Sequence, residues 1–267
     1  MSPKPAHGLG SRLLLFSLGA AACVLLYLFL LNFQPISRNS PTAGVIPVLV
    51  LAIGTGWLTA RFLRADALSP AILGLTAPQR PFVRFWMGLV AGSVLTGLWL
   101  VIITVVTGAT LRVNPNFASL GLLSACAFAF FNNAGEELIY RGYAFVRLAE
   151  QWGEVVTVVI TSAVFALLHL QAGLPWLSVL AGVFTSGLVF GAIFARWRSL
   201  PLALGVHVAT NIVQEATGLR PSAASIIVPV FPTTPADAGP SILAGIAVLN
   251  LTLAVGILFA GRRHLNH

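Results

Sequence analysis

The chain has 267 residues, of which 57% are hydrophobic and 8% charged, with a mean hydropathy of +0.92. Soluble globular domains carry about a quarter charged residues, so this composition excludes that class. The net charge of +8 would suit a nucleic-acid partner, but the placement of the basic residues excludes that reading too.

Apolar stretches of roughly 16 to 27 residues, about the length that spans a bilayer as a helix, recur along the chain. They cover residues 13–33, 45–63, 85–107, 117–143, 155–170, 176–196, 200–216 and 242–260. The expected fold class is therefore all-α, a polytopic bundle of about eight transmembrane helices with both termini cytoplasmic. The first span follows Arg12 and contains Gly19-Ala20-Ala21-Ala22-Cys23, which resembles a signal-peptide cleavage site. Apolar residues continue to Phe33, too far for a signal h-region, so the segment reads as a retained helix. Between the second and third spans, Ser69-Pro70 offers an N-cap and a first-turn proline for a short surface helix. The segment 217–240 carries several prolines and the apolar stretch 226–231, and it reads as an extracytoplasmic loop or a lid. The C-terminal His264-Leu265-Asn266-His267 is not a prenylation box.

Threading eight spans from a cytoplasmic N-terminus leaves only Arg38, Arg112 and Arg220 of the 15 basic residues on the outer side. This is a topology signal of the positive-inside kind, with the lipid bilayer rather than nucleic acid as partner. Cys23 and Cys126 both lie within apolar spans and imply no disulfide framework. Three regions follow: three helices with a cytoplasmic loop over 1–116, a four-helix core over 117–216, and a loop with the last helix over 217–267. A multi-pass membrane protein, of a prokaryotic plasma membrane, is the expectation.

The core holds the chemistry. Glu136-Glu137 sits inside an apolar run, and an intramembrane ionisable residue is a functional-site hypothesis by default. Arg141 follows Glu137 at i,i+4, the favourable order for an ion pair, which leaves Glu136 about 100° around the helix. Phe165 precedes His169, and His207 precedes Asn211, each by one turn. Helical rise places Glu136 about 16 Å from Arg147, His169 about 21 Å from Val155, His207 about 12 Å from Ser199 and Asn211 at about 18 Å. Three helices thus bring polar groups to a shared layer, biased toward the inner leaflet, which suggests access from the cytoplasmic side.

This set suits amide hydrolysis. A carboxylate in a low-dielectric site can take a proton from water, a histidine can polarise that water, and a second histidine with an amide can stabilise an oxyanion. Glu136, His169 and His207 also have the ligand types of a catalytic zinc site, so zinc and a metal-free glutamate mechanism both fit. Taken singly, each residue has a plainer reading: Glu137–Arg141 as a structural pair, the histidines and Asn211 as interhelical hydrogen-bonding groups, Phe165 as packing.

Glu136-Glu137-x-x-x-Arg141, Phe165-x-x-x-His169 and His207-x-x-x-Asn211, in this order over 117–213, resemble the CPBP family of intramembrane proteases. That family includes the CAAX prenyl endopeptidases and relatives linked to bacteriocin immunity. The resemblance implies Glu136 as catalytic glutamate with Glu137 and Arg141 in support. It further implies His169 acting with Glu136 on water, His207 and Asn211 stabilising the oxyanion, and Phe165 as a wall. The substrate would be a peptide or membrane protein, prenylated in the best-known case. Two other readings fit the same residues: a non-catalytic immunity or scaffold protein that keeps the pocket, and a proton-coupled transporter.

Overall fold

The computed structural model describes residues 8–32, 44–220, 222–232 and 239–260. Lys4, Arg38, Pro221, Pro235, Arg262, Arg263 and the C-terminal tetrapeptide lie outside the described residues. Among the described residues, nine helices make an all-α bundle. They are α1 (Leu9–Asn32), α2 (Val45–Ala65), α3 (Pro81–Thr107), α4 (Ser119–Tyr140) and α5 (Tyr143–Trp152). Then come α6 (Glu154–His169), α7 (Trp176–Trp197), α8 (Leu200–Ala216) and α9 (Gly239–Phe259). Five of them, α1, α2, α3, α7 and α9, are long and apolar enough to cross a membrane. The helices carrying the motifs, α4, α6 and α8, are shorter or more polar, and the others flank them. A two-stranded ribbon, β1 (Thr110–Val113) against β2 (Ile227–Val230), pairs antiparallel with Thr110 opposite Val230.

One expected span divides. The sequence suggested a continuous helix over 117–143, but α4 stops at Tyr140 and a separate helix, α5, starts at Tyr143. Gly142 makes the break: a Cβ there would lie 2.1 Å from the Leu138 carbonyl oxygen, so only glycine lets the chain turn. Glu136 consequently lies one helical turn, about 6 Å, from the end of its helix rather than 16 Å from Arg147. The surface helix expected after Ser69 is a single 3-10 turn over Pro70–Leu73, capped by Ser69 Oγ accepting from the Ala71 amide at 3.2 Å.

Close backbone approach joins α3 to α8. A Cβ on Gly88 would meet the Leu202 carbonyl oxygen at 2.3 Å, one on Gly92 the Val206 oxygen at 2.3 Å, and one on Gly205 the Phe85 oxygen at 2.2 Å. Gly88 and Gly92, four apart, form the small-xxx-small seam by which apolar helices pack without a hydrophobic driving force between them. This contact sets the position of His207, two residues after Gly205.

The two ends of the bundle differ in chemistry. At one, charged groups tie helix ends together: Arg12 (α1) and Arg147 (α5) both pair with Asp66 after α2, the latter at 3.1 Å. Tyr143 donates to the same carboxylate at 2.7 Å. Arg198 pairs with Glu154 at 2.8 Å, and Arg84 donates to the Trp197 carbonyl at 3.1 Å. Exposed Trp86, Trp152 and Trp197 surround this end, as aromatic side chains do at a membrane–water boundary. At the opposite end lies the β ribbon, where Asn114 donates to the Ser225 carbonyl at 2.8 Å and the Ala118 amide to the Ala223 carbonyl at 2.8 Å. Arg112 and Arg220 are the arginines of that end among the described residues.

Candidate active site

A cavity of about 940 Å³ lies between α3, α4, α6, α7, α8 and α9. Its lining includes Glu136, Phe165, His169, His207 and Asn211, so the structure brings these expected site residues to one space. Glu137 and Arg141 lie behind that surface, each 0% exposed.

The acidic doublet straddles His207. Its Nδ1 lies 2.9 Å from Glu137 Oε1, and its Nε2 lies 3.6 Å from Glu136 Oε2. The ring is only 5% exposed and stacks on Phe190, centroids 4.4 Å apart at 24°. Glu137 therefore does more than pair with Arg141. It fixes a histidine by its inner nitrogen and turns the outer one toward Glu136, the usual way a carboxylate sets imidazole orientation. Sequence spacing cannot show this bond, because Glu137 and His207 are 70 positions apart.

Arg141 is held from three directions. Nη1 donates to Glu137 Oε1 at 2.8 Å and Nη2 to the Gly187 carbonyl at 2.9 Å. Its guanidinium carbon lies 5.4 Å from the Phe165 ring centroid and 5.7 Å from that of Phe190, so aromatic faces complete its surroundings. Phe165, expected as a wall, also touches both histidines, with centroids 4.5 Å from His169 and 5.7 Å from His207.

Glu136 is the partly open carboxylate, its side chain 19% exposed. Asn132, one turn earlier, donates to its Oε1 at 2.9 Å. His169 Nδ1 lies 2.8 Å from the Phe165 carbonyl. A carbonyl only accepts, so Nδ1 carries hydrogen in this contact, and a neutral His169 has its lone pair on Nε2. Asn211 donates to Asn133 Oδ1 at 2.9 Å, which links α8 to α4. Asn133 is a positioning residue that sequence spacing does not reveal; the Asn132-Asn133 doublet one turn before Glu136 is the signal that could have pointed to it.

On the far wall, α7 contains a π-helical turn over Val179–Phe184. Hydroxyls of Thr185 and Ser186 bond the carbonyls of Ala181 and Gly182 at 2.6 and 2.7 Å, satisfying acceptors that the wider turn displaces. Asn250 of α9 donates to Thr185 Oγ1 at 2.9 Å and accepts from Trp99 Nε1 at 3.1 Å. This buried network ties α3, α7 and α9 around the cavity. It was not legible in the sequence.

Among the described residues, no group of three or more His, Cys, Asp or Glu side chains is arranged to hold a metal ion. The set Glu136, His169 and His207 does not converge as a ligand triad. The donor arrangement thus does not fit the zinc site that residue types alone allowed. Cys23 and Cys126 are free.

Residues 115–213 match the model of a protein family described as type II CAAX prenyl endopeptidase, Rce1-like. The core is CAAX-protease-like. All three motifs lie inside the matched stretch, so the CPBP resemblance stands on the same residues that build the cavity. No curated protein and no solved structure matches the chain.

Proposed function

We propose that this CAAX-protease-like chain is an intramembrane endopeptidase in which a glutamate and a histidine activate water. The observation that carries this reading is the shared cavity, into which Glu136, His169, His207 and Asn211 are all delivered. In this reading eight of the helices cross the bilayer, with α5 lying at its surface and both termini cytoplasmic.

Glu136, with His169 Nε2, takes a proton from a water molecule as its oxygen attacks the scissile carbonyl carbon. The carbonyl π electrons move to oxygen, and the resulting oxyanion is stabilised by donors from His207 Nε2 and the Asn211 amide. Since Nδ1 of His207 faces a carboxylate, Nε2 donates only when the ring is an imidazolium, and Glu137 is placed to stabilise that charge. Collapse of the tetrahedral species breaks the C–N bond, and the proton held by Glu136 or His169 passes to the leaving amine. Asn132 keeps one Glu136 oxygen fixed while the other faces the reaction.

The substrate in this proposal is a peptide or membrane-anchored protein. Its test is peptide cleavage by purified protein, wild type beside Glu136→Gln and His169→Ala. Both substitutions should abolish turnover while leaving the fold intact; cleavage that survives them would remove the mechanism. In a scaffold or immunity protein, by contrast, Glu136→Gln would leave the cellular phenotype unchanged. A proton-coupled transporter would move solute along a gradient in vesicles without cleaving peptide.

A further inference from the structure

The cavity extends from the site in one direction only. Along α4 its lining residues run from Glu136 back through Asn132, Ala129 and Ala125 to Gly121. Along α8 they run from His207 through Asn211 to Glu215, and the wall then continues over Leu219–Arg220 and Ser222–Ala224 beside the β ribbon. Glu136 lies 17 residues, about 26 Å of helix, from the first residue of α4 but only about 6 Å from its last. The floor is thus deep, and the space above it leads to the ribbon end.

Toward the other end the floor is closed. Behind Glu136 and His207 lie Arg141, Tyr143, Phe145 and Phe194, all 0% exposed, with Tyr140 nearly so. Among the described residues the lining ends at Glu136 on α4, His207 on α8 and Phe190 on α7, and none lies nearer the basic side. That basic side holds Arg12, Arg61, Arg64, Arg80, Arg84, Arg147, Arg196 and Arg198, against Arg112 and Arg220 at the ribbon end, among the described residues. Such a bias in short connections places the arginine-rich end in the cytoplasm.

We infer that the active-site cavity receives its substrate from the extracytoplasmic side, between the β ribbon and the outer ends of α4, α7 and α8. This rests on the proteolytic reading above and narrows its substrate class. The substrate is an extended segment of an exported or membrane-anchored protein presented at the outer face, not a cytoplasmic prenylated C-terminus. The access expected from helix-depth counting alone, from the cytoplasm, is reversed, because α4 ends at Tyr140 and its terminal turn seals the floor rather than opening it.

The test is cysteine accessibility in the full-length protein in its membrane, with Cys23 and Cys126 replaced by alanine. Ala223→Cys reports the rim, Ala125→Cys reports mid-depth, and Gln151→Cys on α5 reports the basic end. A membrane-impermeant maleimide is applied to intact cells and to inside-out vesicles. Rim and mid-depth positions are expected to react in intact cells, and Gln151→Cys only in inside-out vesicles. Reaction of the cavity positions only in inside-out vesicles, or equally from both sides, overturns the proposal. So does their failure to react from either side while the denatured chain reacts, or labelling of Gln151→Cys from outside. None of these readouts uses catalysis: peptide cleavage surviving Glu136→Gln, with cavity cysteines labelled from outside, would remove the mechanism and leave the access route standing.

Discussion

Replacing Arg141 by methionine tests the strongest electrostatic claim of the structure. The guanidinium is fully buried, bonded to Glu137 and to the Gly187 carbonyl, and framed by Phe165 and Phe190. Methionine fills much of the same volume but leaves the Glu137 carboxylate buried without its full counter-charge, a change that costs about 3–5 kcal/mol. Loss of the bond to the Gly187 carbonyl, which lies inside α7 and keeps its helical role, adds about 0.5–1.5 kcal/mol, and the two contributions overlap within one network. A double-mutant cycle with Glu137→Leu separates them. The double variant removes both charges and should be more stable than the sum of the singles by roughly 1–3 kcal/mol. The assay is reversible unfolding in mixed micelles. Arg198→Met, which breaks the half-exposed pair with Glu154, serves as the comparison and should cost about 0–1 kcal/mol. A cost for Arg141→Met no larger than that of Arg198→Met would refute the reasoning.

Asn211→Ala removes the proposed oxyanion amide, and kcat should fall by about 10²–10³ with KM little changed, as initial-rate kinetics would show. Gly88→Ala and Gly92→Ala drive a methyl into facing carbonyls. Each should destabilise by about 1–3 kcal/mol, measured by the same unfolding assay, whereas Gly97→Ala meets nothing within 4 Å and should be neutral or stabilising. Asn250→Leu orphans the Trp99 indole and removes the amide that donates to the Thr185 and Ser186 hydroxyls, which keep their bonds to Ala181 and Gly182. It should lower the melting midpoint by an amount equivalent to about 1–3 kcal/mol, and Trp99→Phe in the same background should recover part of the loss.

What was legible in the sequence follows from what spacing encodes. Apolar length gave the helices, and i,i+4 geometry gave Glu137 with Arg141 and Phe165 with His169, because partners on one helix lie at fixed separation. Contacts between helices have no such ruler. That His207 bonds the second glutamate, that Asn133 rather than Glu136 receives Asn211, and that Asn250 clamps the π turn all depend on which helices become neighbours. The break at Gly142 was hidden for a different reason: the apolar pattern runs straight through it, and only the Leu138 carbonyl reveals why the chain must turn there.

The glycine seam between α3 and α8 has a mechanical consequence. Backbones in direct contact have no side-chain layer that can yield, so the wall bearing His207 and Asn211 behaves as a rigid jaw. The opposing wall contains the π turn over Val179–Phe184, where Gly182 has open space around it and the backbone bonding is already irregular. In the proposed proteolytic reaction a bulky substrate is accommodated by yielding of α7, while His207 and Asn211 stay in register.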